Sequence, residues 1–430
     1  MKRLPGRLNV FQVTMLEWRG QHPYTAVHAL HLPLLPDDGA LAAAIDAERA
    51  QLGLGLLELD CRRRRFAWHA HAGTTPVERT AGEPDLCAER NLEREIERQM
   101  NTAFPIEGTL DPFRFFVIRE ARGGFLGIAY DHFIAGGDSI VRLMNRIVDR
   151  LEGAPHAGSS PPPYPPTHLP LFLRHPLRAA CAVARMPAMA RSCRRTLRPR
   201  YRDIEEGHNG FALHRLDAAS LGVLAGAARR WGVTFNDVLL ALLLLVRDTQ
   251  TRARLGAARR RELAAASIMN LREIHGSSAH DVFGQFLGSF RVSHPVPPGI
   301  TLEALTRDIH RDTSRIKREH LYLAGLFAMR VDRVIGRFQT PRQRMGVYAK
   351  GYPVNAGTST LNVDALWRPP SAAPDYLRGV PTGPLAPMVL AATTAGGAVR
   401  MGISFRTAAF TRSEVDATWA DILSRVGALQ

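Results

Sequence analysis

One stretch of the chain brings together side chains that can do chemistry. It reads YDHFIAGGDS over residues 130–139 and holds His132 between the carboxylates of Asp131 and Asp138. Histidine is the side chain whose ordinary pKa, about 6.5, leaves a neutral base available at pH 7. The stretch also holds the hydroxyl of Ser139 and a glycine pair that lets other atoms approach the backbone closely, Gly136 and Gly137.

The residues before His132 predict a β-hairpin. Phe113–Arg119 and Gly124–Tyr130 are rich in β-branched and aromatic residues, and residues 120–123 between them suit a turn. The second run ends two residues before His132. We therefore expect His132 at the end of a strand.

The residues after His132 predict a helix. Apolar side chains from Ile140 to Leu151 follow i, i+3, i+4 spacing. The helix is expected to start near Asp138 or Ser139, because either side chain can accept a hydrogen bond from a free first-turn N–H, and Gly153 can end it. His132 is thus expected on a glycine-rich loop before a helix N-terminus, where a rigid scaffold commonly presents functional groups.

Length and composition bound the class of protein. The chain has 430 residues, more than most single domains, so two lobes are expected. No apolar run approaches the roughly 20 residues that span a bilayer, and the first residues lack the apolar core of a signal peptide. The cysteines are scattered without a CxxC pair, which indicates neither a disulfide framework nor a metal site and favours a reducing cytoplasm; they are Cys61, Cys87, Cys181 and Cys193.

The formal net charge of +16 invites a search for an anionic partner. The basic residues cluster at Arg62–Arg65, Arg174–Arg200 and Arg259–Arg261, without zinc-finger spacing or an aromatic RNA-binding signature. A nucleic-acid partner is therefore not predicted. A solvated surface is the simpler interpretation, and the alternative is an acidic partner such as a carrier protein, the phosphates of coenzyme A or a lipid surface.

Composition divides the chain into three parts. Residues 1–153 and 206–430 each carry strands interleaved with helices, which predicts the α/β class with a mixed sheet flanked by helices in each lobe. Residues 154–205 form a proline-rich and then arginine-rich linker. Its part at Leu171–Arg200 contains no acid and is broken by Pro176 and Pro187. Packing on the protein surface is favoured there, and a peripheral membrane contact through 171–200 is the alternative.

Periodicity predicts further elements. Strands are expected at Tyr24–Leu32, Leu56–Leu59, Arg65–His71, Phe211–Leu216, Ala265–Leu271, Thr358–Val363, Met388–Thr393 and Val399–Phe405. Helices are expected after Asp37 or Asp38 and at Leu92–Met100, Ala218–Arg230, Leu239–Val246, Leu302–Arg318 and Glu414–Val426. His69 and His71 alternate on one face of a predicted strand, but no third ligand accompanies them, so no metal site is predicted.

This arrangement resembles the condensation-domain superfamily, which also includes chloramphenicol acetyltransferase and the wax-ester, diacylglycerol and plant acyltransferases. The signature of the superfamily is a His-His pair, three residues, Asp and Gly. Aligned without gaps, its four fixed positions hold Asp131, His132, Gly136 and Gly137, and Ser139 matches a serine often found two residues beyond. The run TFNDVLL at 234–240, the strand ending at Arg272 and the final hairpin and helix follow in the expected order. The resemblance covers essentially the whole chain.

The resemblance implies two chloramphenicol-acetyltransferase-like lobes with an active-site tunnel between them, lined by His132. His132 would accept a proton from an amine or hydroxyl acceptor, which would then attack a thioester carbonyl. The acyl group would arrive on phosphopantetheine, as acyl-CoA or on an acidic carrier protein. No bound cofactor or metal would be needed, and Gly136 and Gly137 would let the backbone approach the substrate.

The stretch departs from the signature at two positions. The signature Asp is described as structural and pairs with an arginine; Gly136 cannot do this, and Asp138 is the nearest substitute. Asp131 replaces the first His, a supporting position, and its charge could raise the pKa of His132. The departure at Gly136 keeps open a catalytically degenerate relative that binds or scaffolds in a natural-product or lipid pathway.

A hydrolase is a further alternative, because Gly137-Asp138-Ser139-Ile140 spells the nucleophile motif of one lipase and esterase family. That family places the motif near the N-terminus and takes its base from a late Asp-x-x-His, which this sequence lacks. The sequence also lacks a Gly-x-Ser-x-Gly elbow. Acyl transfer is the favoured prediction.

Overall fold

The structure is a computed structural model that describes residues 3–83, 86–154, 168–251, 260–276, 281–368 and 374–429. Its described residues form three sheets, of five, six and four strands, with helices packed against them. The two larger sheets both contain parallel and antiparallel pairs. The α/β class predicted from the sequence is therefore confirmed.

The elements are numbered in chain order. The strands are β1 Arg3–Arg7, β2 Thr25–Leu32, β3 Leu57–Asp60, β4 Arg65–His69, β5 Val77–Arg79, β6 Gly108–Leu110, β7 Phe113–Arg119, β8 Gly124–Asp131, β9 Asn209–Leu216, β10 Leu263–Asn270, β11 Leu287–His294, β12 Ala356–Asn362, β13 Tyr376–Gly379, β14 Met388–Ala395 and β15 Ala398–Arg406. The helices are α1 Val10–Arg19, α2 Asp38–Leu52, α3 Ala88–Asn101, α4 Gly137–Leu151, α5 Leu169–Arg174, α6 Pro176–Ala184, α7 Met186–Arg195, α8 Ala218–Trp231, α9 Phe235–Thr251, α10 Arg272–His275, α11 Leu302–Arg318, α12 Tyr322–Gly336, α13 Pro341–Gly351 and α14 Arg412–Gly427.

The five-stranded sheet has the order β13-β2-β8-β7-β5 and positions His132. The predicted hairpin is present, with β7 paired antiparallel to β8 from Phe113 opposite Tyr130 to Arg119 opposite Gly124. Strand β8 is buried along its whole length because sheet neighbours and packed helices enclose it. It ends at Asp131, so His132 leaves a strand that is held on both sides.

The six-stranded sheet has the order β11-β10-β12-β14-β15-β9. Helix α9 packs against it, and every residue from Val238 to Val246 is buried, as its unbroken apolar run predicted. Strand β10 is an inner strand, antiparallel to β11 and parallel to β12. Its C-terminal end delivers Asn270 and Arg272 towards the His132 loop.

One short strand joins the two larger sheets. Strand β13 comes late in the chain, yet it pairs antiparallel with β2 in the five-stranded sheet. Its Arg378 side chain donates hydrogen bonds to Ser359 on β12 and Thr393 on β14, in the six-stranded sheet. The division into lobes at residues 153 and 205 remains a prediction, and this strand is the part of 206–430 that packs with the first sheet.

Helix α4 follows the His132 loop as predicted, but its start differs from the prediction. The helix begins at Gly137, and Gly136 is the N-cap residue, with no side-chain cap. Asp138 and Ser139 lie inside the first turn and bond to other parts of the chain. The expectation that one of them caps the helix is therefore wrong. The helix ends at Leu151, just before Gly153, which adopts a positive φ of 80°.

The arginine-rich segment forms three short helices, α5 to α7, because its prolines sit where helices can begin. Pro176 and Pro187 each occupy the first turn of a helix, where the missing N–H costs nothing. The proline-rich run of the predicted linker, Ser159–Pro166, lies outside the described residues. Among the described residues, no helix is both long and apolar enough to cross a membrane.

Candidate active site

His132 lies between aromatic rings at the end of β8. Its ring is 5.5 Å from the ring of Tyr24 and 5.8 Å from that of Tyr130, centroid to centroid. Its backbone N–H donates to the Tyr24 carbonyl at 3.4 Å. The residue keeps 7% of its surface exposed, so it is neither on an outer face nor fully enclosed.

The environment keeps His132 neutral. Burial, and secondly the charge of Arg378, lower its pKa to about 4, against a smaller opposite effect of the Ala135 backbone. Nδ1 of the ring is buried without a hydrogen-bond partner among the described residues. The suggestion that Asp131 raises the pKa of His132 is wrong, because the carboxylate of Asp131 points to a different partner.

That partner is Arg19 on α1. The Asp131 carboxylate forms a buried ion pair with the Arg19 guanidinium, which also donates to the Ile106 carbonyl at 2.6 Å. Burial raises the pKa of Asp131 to about 6 in spite of Arg19. Asp131 therefore ties β8 to α1 and does not contact the His132 ring.

A second buried ion pair anchors the other end of the loop. The Nε of Arg272 donates to Oδ2 of Asp138 at 2.6 Å, and Asn270 donates to the same oxygen at 3.1 Å. Both Asp138 and Arg272 are nearly inaccessible, at 4% and 3% side-chain exposure. Asp138 thus makes the arginine pair expected of the signature Asp, from two positions further along. The sequence analysis named Asp138 as the nearest substitute but did not identify Arg272 as its partner.

Ser139 belongs to the same anchor. Its Oγ accepts from Arg272 at 2.9 Å and donates to the Gly284 carbonyl at 3.1 Å. The hydroxyl proton is thus directed at a carbonyl, and the described contacts of Oγ include no histidine. This geometry does not suit a nucleophilic serine, which needs a neighbouring base.

The segment before β11 clamps the loop backbone. Gln285 donates from Nε2 to the His132 carbonyl at 2.9 Å and to the Ala135 carbonyl at 3.3 Å. The Gly136 N–H donates to the Gly284 carbonyl at 3.0 Å. A Cβ at Gly136 would lie 2.8 Å from Oδ1 of Asp138, so the glycine leaves room for the displaced carboxylate.

Arg378 is a buried cation beside the loop that the sequence did not reveal. A Cβ placed on Gly137 would lie 3.4 Å from Arg378 Nη1, and equally close to His28. Hydrogen bonds to Ser359, Ala392 and Thr393 use four of the five N–H donors of Arg378. Burial lowers its pKa to about 10, so the guanidinium stays charged at pH 7. One donor on Nη1 is left near Gly137.

His28 and two tyrosines complete the polar surroundings. His28 Nδ1 is 2.8 Å from the hydroxyl of Tyr376, and its Nε2 is 3.4 Å from that of Tyr130. Burial, then Arg378 and His132, keep the pKa of His28 well below its usual value. A strand signal could have placed His28 and Tyr130 side by side, but Tyr376 and Arg378 reach them only through the pairing of β13 with β2.

Access to His132 is narrow in this conformation. Four cavities on the described part of the chain lie elsewhere, and His132 lines none of them. The tunnel expected between the lobes therefore remains a prediction. The described residues also hold no group of three or more side chains suited to a metal; His69 and His71 instead contact Glu58 and Asp46.

Comparison with solved structures identifies the fold. The chain superposes on the first condensation domain of the CDA synthetase with a TM-score of 0.67 and 13% identity, covering 100% of this chain and 96% of that one. The condensation domain of the polyketide synthase MokA superposes with a TM-score of 0.69 and 12% identity, covering 100% of this chain and 97% of that one. SgcC5 from Streptomyces globisporus superposes with a TM-score of 0.69 and 13% identity, covering 99% of this chain and 98% of that one.

Sequence comparisons add no closer relative. No protein-family model matches the chain, and no curated protein does. The chain therefore has the fold of condensation domains, with two lobes, as its resemblance to that superfamily predicted. At such low identity the likeness shows the fold, and the chemistry rests on the site.

Proposed function

We propose that this protein transfers an acyl group from a phosphopantetheine thioester to an amine or hydroxyl acceptor, with His132 as general base. The observation that carries the proposal is the anchoring of the His132 loop. The Asp138–Arg272 pair restores, at a shifted position, the support that Gly136 removes from the signature. Without this pair the loop would lose its anchor at the boundary of the two sheets, and His132 would no longer be held in place.

The reaction follows from the groups at hand. The neutral His132 imidazole takes the proton of the acceptor O–H or N–H while the acceptor oxygen or nitrogen attacks the thioester carbonyl. The resulting tetrahedral oxyanion collapses, the C–S bond breaks, and the imidazolium returns a proton to the departing thiolate. General-base help of this kind is worth about 10²–10⁴-fold. The donor left on Arg378 can stabilise the oxyanion, because preorganised charge is strong in a dry site.

The donor and its setting are also proposed. Acyl-CoA and an acyl-carrier protein carry the same thiol arm, and the net charge of +16 suits either the phosphates or an acidic carrier. Among the structural neighbours is FmoA3, a nonribosomal peptide synthetase of which the chain covers 44%. We also propose a role in secondary-metabolite assembly in the cytoplasm, without a bound cofactor. A peripheral membrane contact through 171–200 stays a secondary proposal.

A second candidate is a binding or scaffold protein with the same fold. The observation in its favour is the narrow access to His132, which keeps 7% exposure and lines none of the four cavities. Such a protein would bind a donor or carrier without turning it over. It would still need the two buried ion pairs for folding.

A donor and acceptor panel separates the two candidates. Acyl-CoA and acyl-carrier donors are each mixed with amine and alcohol acceptors, and thiol release and the acylated product are measured by mass spectrometry. Acceptor-dependent release of thiol supports acyl transfer. Saturable donor binding without product, across the panel, contradicts it and supports the scaffold.

A further inference from the structure

A cavity of about 320 Å³ opens between α1, α12 and α5, away from the His132 loop. This volume is within the roughly 300–1,000 Å³ range of small-ligand pockets. None of the residues 131–139 lines it. Its walls combine apolar side chains with four arginines and two buried polar side chains: Leu8, Val10, Val13, Phe172 and Val334; Arg64, Arg330, Arg333 and Arg337; Asn9 and His168.

The arginines of this cavity carry more positive charge than the protein neutralises. Glu17 is the acid beside them, and it pairs with Arg333 at 3.0 Å and with Arg344 outside the cavity at 2.8 Å. Within the described ranges, no carboxylate forms an ion pair with Arg64, Arg330 or Arg337. Burial is the largest cause that lowers the pKa of Arg64, and the neighbouring arginines lower it further. Glu17 acts in the opposite direction. An anion would relieve this repulsion.

Two buried polar side chains in the same wall carry nitrogen atoms without hydrogen-bond partners among the described residues. His168 is 3% exposed, and neither ring nitrogen has a hydrogen-bond partner among the described residues. Asn9 is 4% exposed, and its Nδ2 is likewise without a partner. A buried polar group left unpaired costs about 1–3 kcal/mol, so such groups commonly mark a missing ligand or water.

The protonation state of His168 suits hydrogen bonding to a ligand. Burial, then the charges of His275 and Arg330, lower the pKa of His168 to about 4. The ring is therefore neutral at pH 7 and offers one N–H donor. Together with the Asn9 amide it can bind oxygen atoms that the arginines attract.

We propose that this cavity binds the phosphate group of a phosphate ester. Guanidinium groups suit phosphate because they donate paired N–H bonds to its oxygens, and Arg64, Arg330 and Arg337 form no ion pair with a carboxylate of the described residues. The neutral donors of His168 and Asn9 complete the contacts, and the apolar walls accept the carbon chain of the ester. The ester is either the phosphopantetheine arm of a donor, whose phosphate carries a second link to the rest of the donor, or a free phosphorylated molecule. The proposal does not depend on chemistry at His132.

Binding of inorganic phosphate, 4′-phosphopantetheine and unphosphorylated pantetheine to the full chain, measured by isothermal titration calorimetry, tests this site. The double variant Arg330→Gln/Arg337→Gln should weaken binding of both phosphate compounds at least tenfold. The matched double variant Arg229→Gln/Arg230→Gln removes the same charge from exposed positions on α8 and should leave binding unchanged. If both double variants weaken phosphate binding equally, the effect is one of net charge alone, and the proposed site is contradicted.

A second pair of variants tests the buried donor. His168→Leu should weaken phosphate binding, and His168→Gln should retain most of it, since an amide can replace the imidazole N–H. If 4′-phosphopantetheine binds more tightly than inorganic phosphate, the site is assigned to the donor arm. If the two bind equally, the site is assigned to a free phosphorylated molecule. His132→Ala should bind phosphate normally, which separates this site from the proposed catalysis. Absence of saturable binding to the unmodified protein would contradict the proposal.

Discussion

His132 combines a neutral ring with a neighbouring cation. Arg378 and burial both oppose a positive charge on the imidazole, so the base form is available at pH 7 without help from a carboxylate. In the proposed reaction the same cation would stabilise the negative charge that develops on the substrate. The lowered pKa makes His132 a weaker base, which takes a proton less readily. The site would therefore gain electrostatic support of the oxyanion and lose some basicity.

This balance predicts the pH dependence of catalysis. The base form of His132 is lost only as the pH falls through about 4, so kcat/KM should be level from pH 8 to 5. Arg378→Met should move the acid limb of the profile to higher pH, because one cause of the lowered pKa of His132 is removed. Arg378→Lys keeps the positive charge and should leave the midpoint of the acid limb nearly unchanged. The measurement is kcat/KM from initial rates across this pH range, for the unmodified protein and both variants, each shown to be folded at every pH. An acid limb near 6.5 in the unmodified protein would show that the ring is not buried as described.

Two ion pairs fix the loop between β8 and α4 from opposite sides. Asp131 pairs with Arg19 on α1, and Asp138 pairs with Arg272 after β10. The first pair lies before His132 and the second after it. The loop is therefore oriented by elements distant in the chain, and the ring position depends on how β10 and α1 pack against the first sheet.

Breaking the second pair should cost stability. Asp138→Leu should lower the free energy of unfolding by about 3–5 kcal/mol, because it leaves the buried Arg272 charge without its carboxylate. The double variant Asp138→Leu/Arg272→Met should lose less than the sum of the single variants. Chemical denaturation gives the values, and Glu303→Ala serves as control because its pair with Arg307 is exposed and worth at most about 1 kcal/mol. Additive losses would mean that the two side chains act independently.

The local elements of the site could be predicted from sequence, and its long-range pairs could not. The β7–β8 hairpin and α4 depend on residue patterns within a few positions, so periodicity located both. Arg272 and Arg378 reach the loop only through the order of strands in two sheets, which no local pattern records. Strand β13 is four residues long, too short for a periodic pattern, and was not predicted. The longer elements β11, α1, α12 and α13, and the short strand β1, were not predicted either. The missed cap at α4 has the same origin, because Arg272 draws Asp138 and Ser139 away from the helix end.

At the scale of the molecule, several buried histidines are held neutral. Burial is the largest cause in each: the pKa is about 3 for His22, about 4 for His132 and His168, and well below its usual value for His28. Three of these residues lie in 1–153, and His168 lies in the predicted linker. Their common state ties the stability of the whole fold to pH.

Acidification should therefore destabilise the protein. Between pH 6.5 and about 4 the unfolded chain binds protons that these folded histidines reject, so the free energy of unfolding falls as the pH falls. Asp131, with its pKa raised to about 6, acts in the opposite direction but is a single group. Denaturation at pH 7.5 and 5.0 should give free energies of unfolding that differ by several kcal/mol in total, about 1–2 per histidine, with a lower denaturant midpoint at pH 5.0. Equal midpoints would contradict burial of the neutral rings.

The measurement that tests the central claim most directly is acyl transfer by the unmodified protein and by His132→Ala, with the donor and acceptor pair that the panel selects. His214→Ala is the control, because this histidine lies on β9 outside the site and stacks on Trp419 of α14. We predict a loss of about 10²–10⁴-fold in kcat for His132→Ala with unchanged donor binding, and normal turnover for His214→Ala. Turnover of His132→Ala equal to that of the unmodified protein would contradict the account and place the base elsewhere.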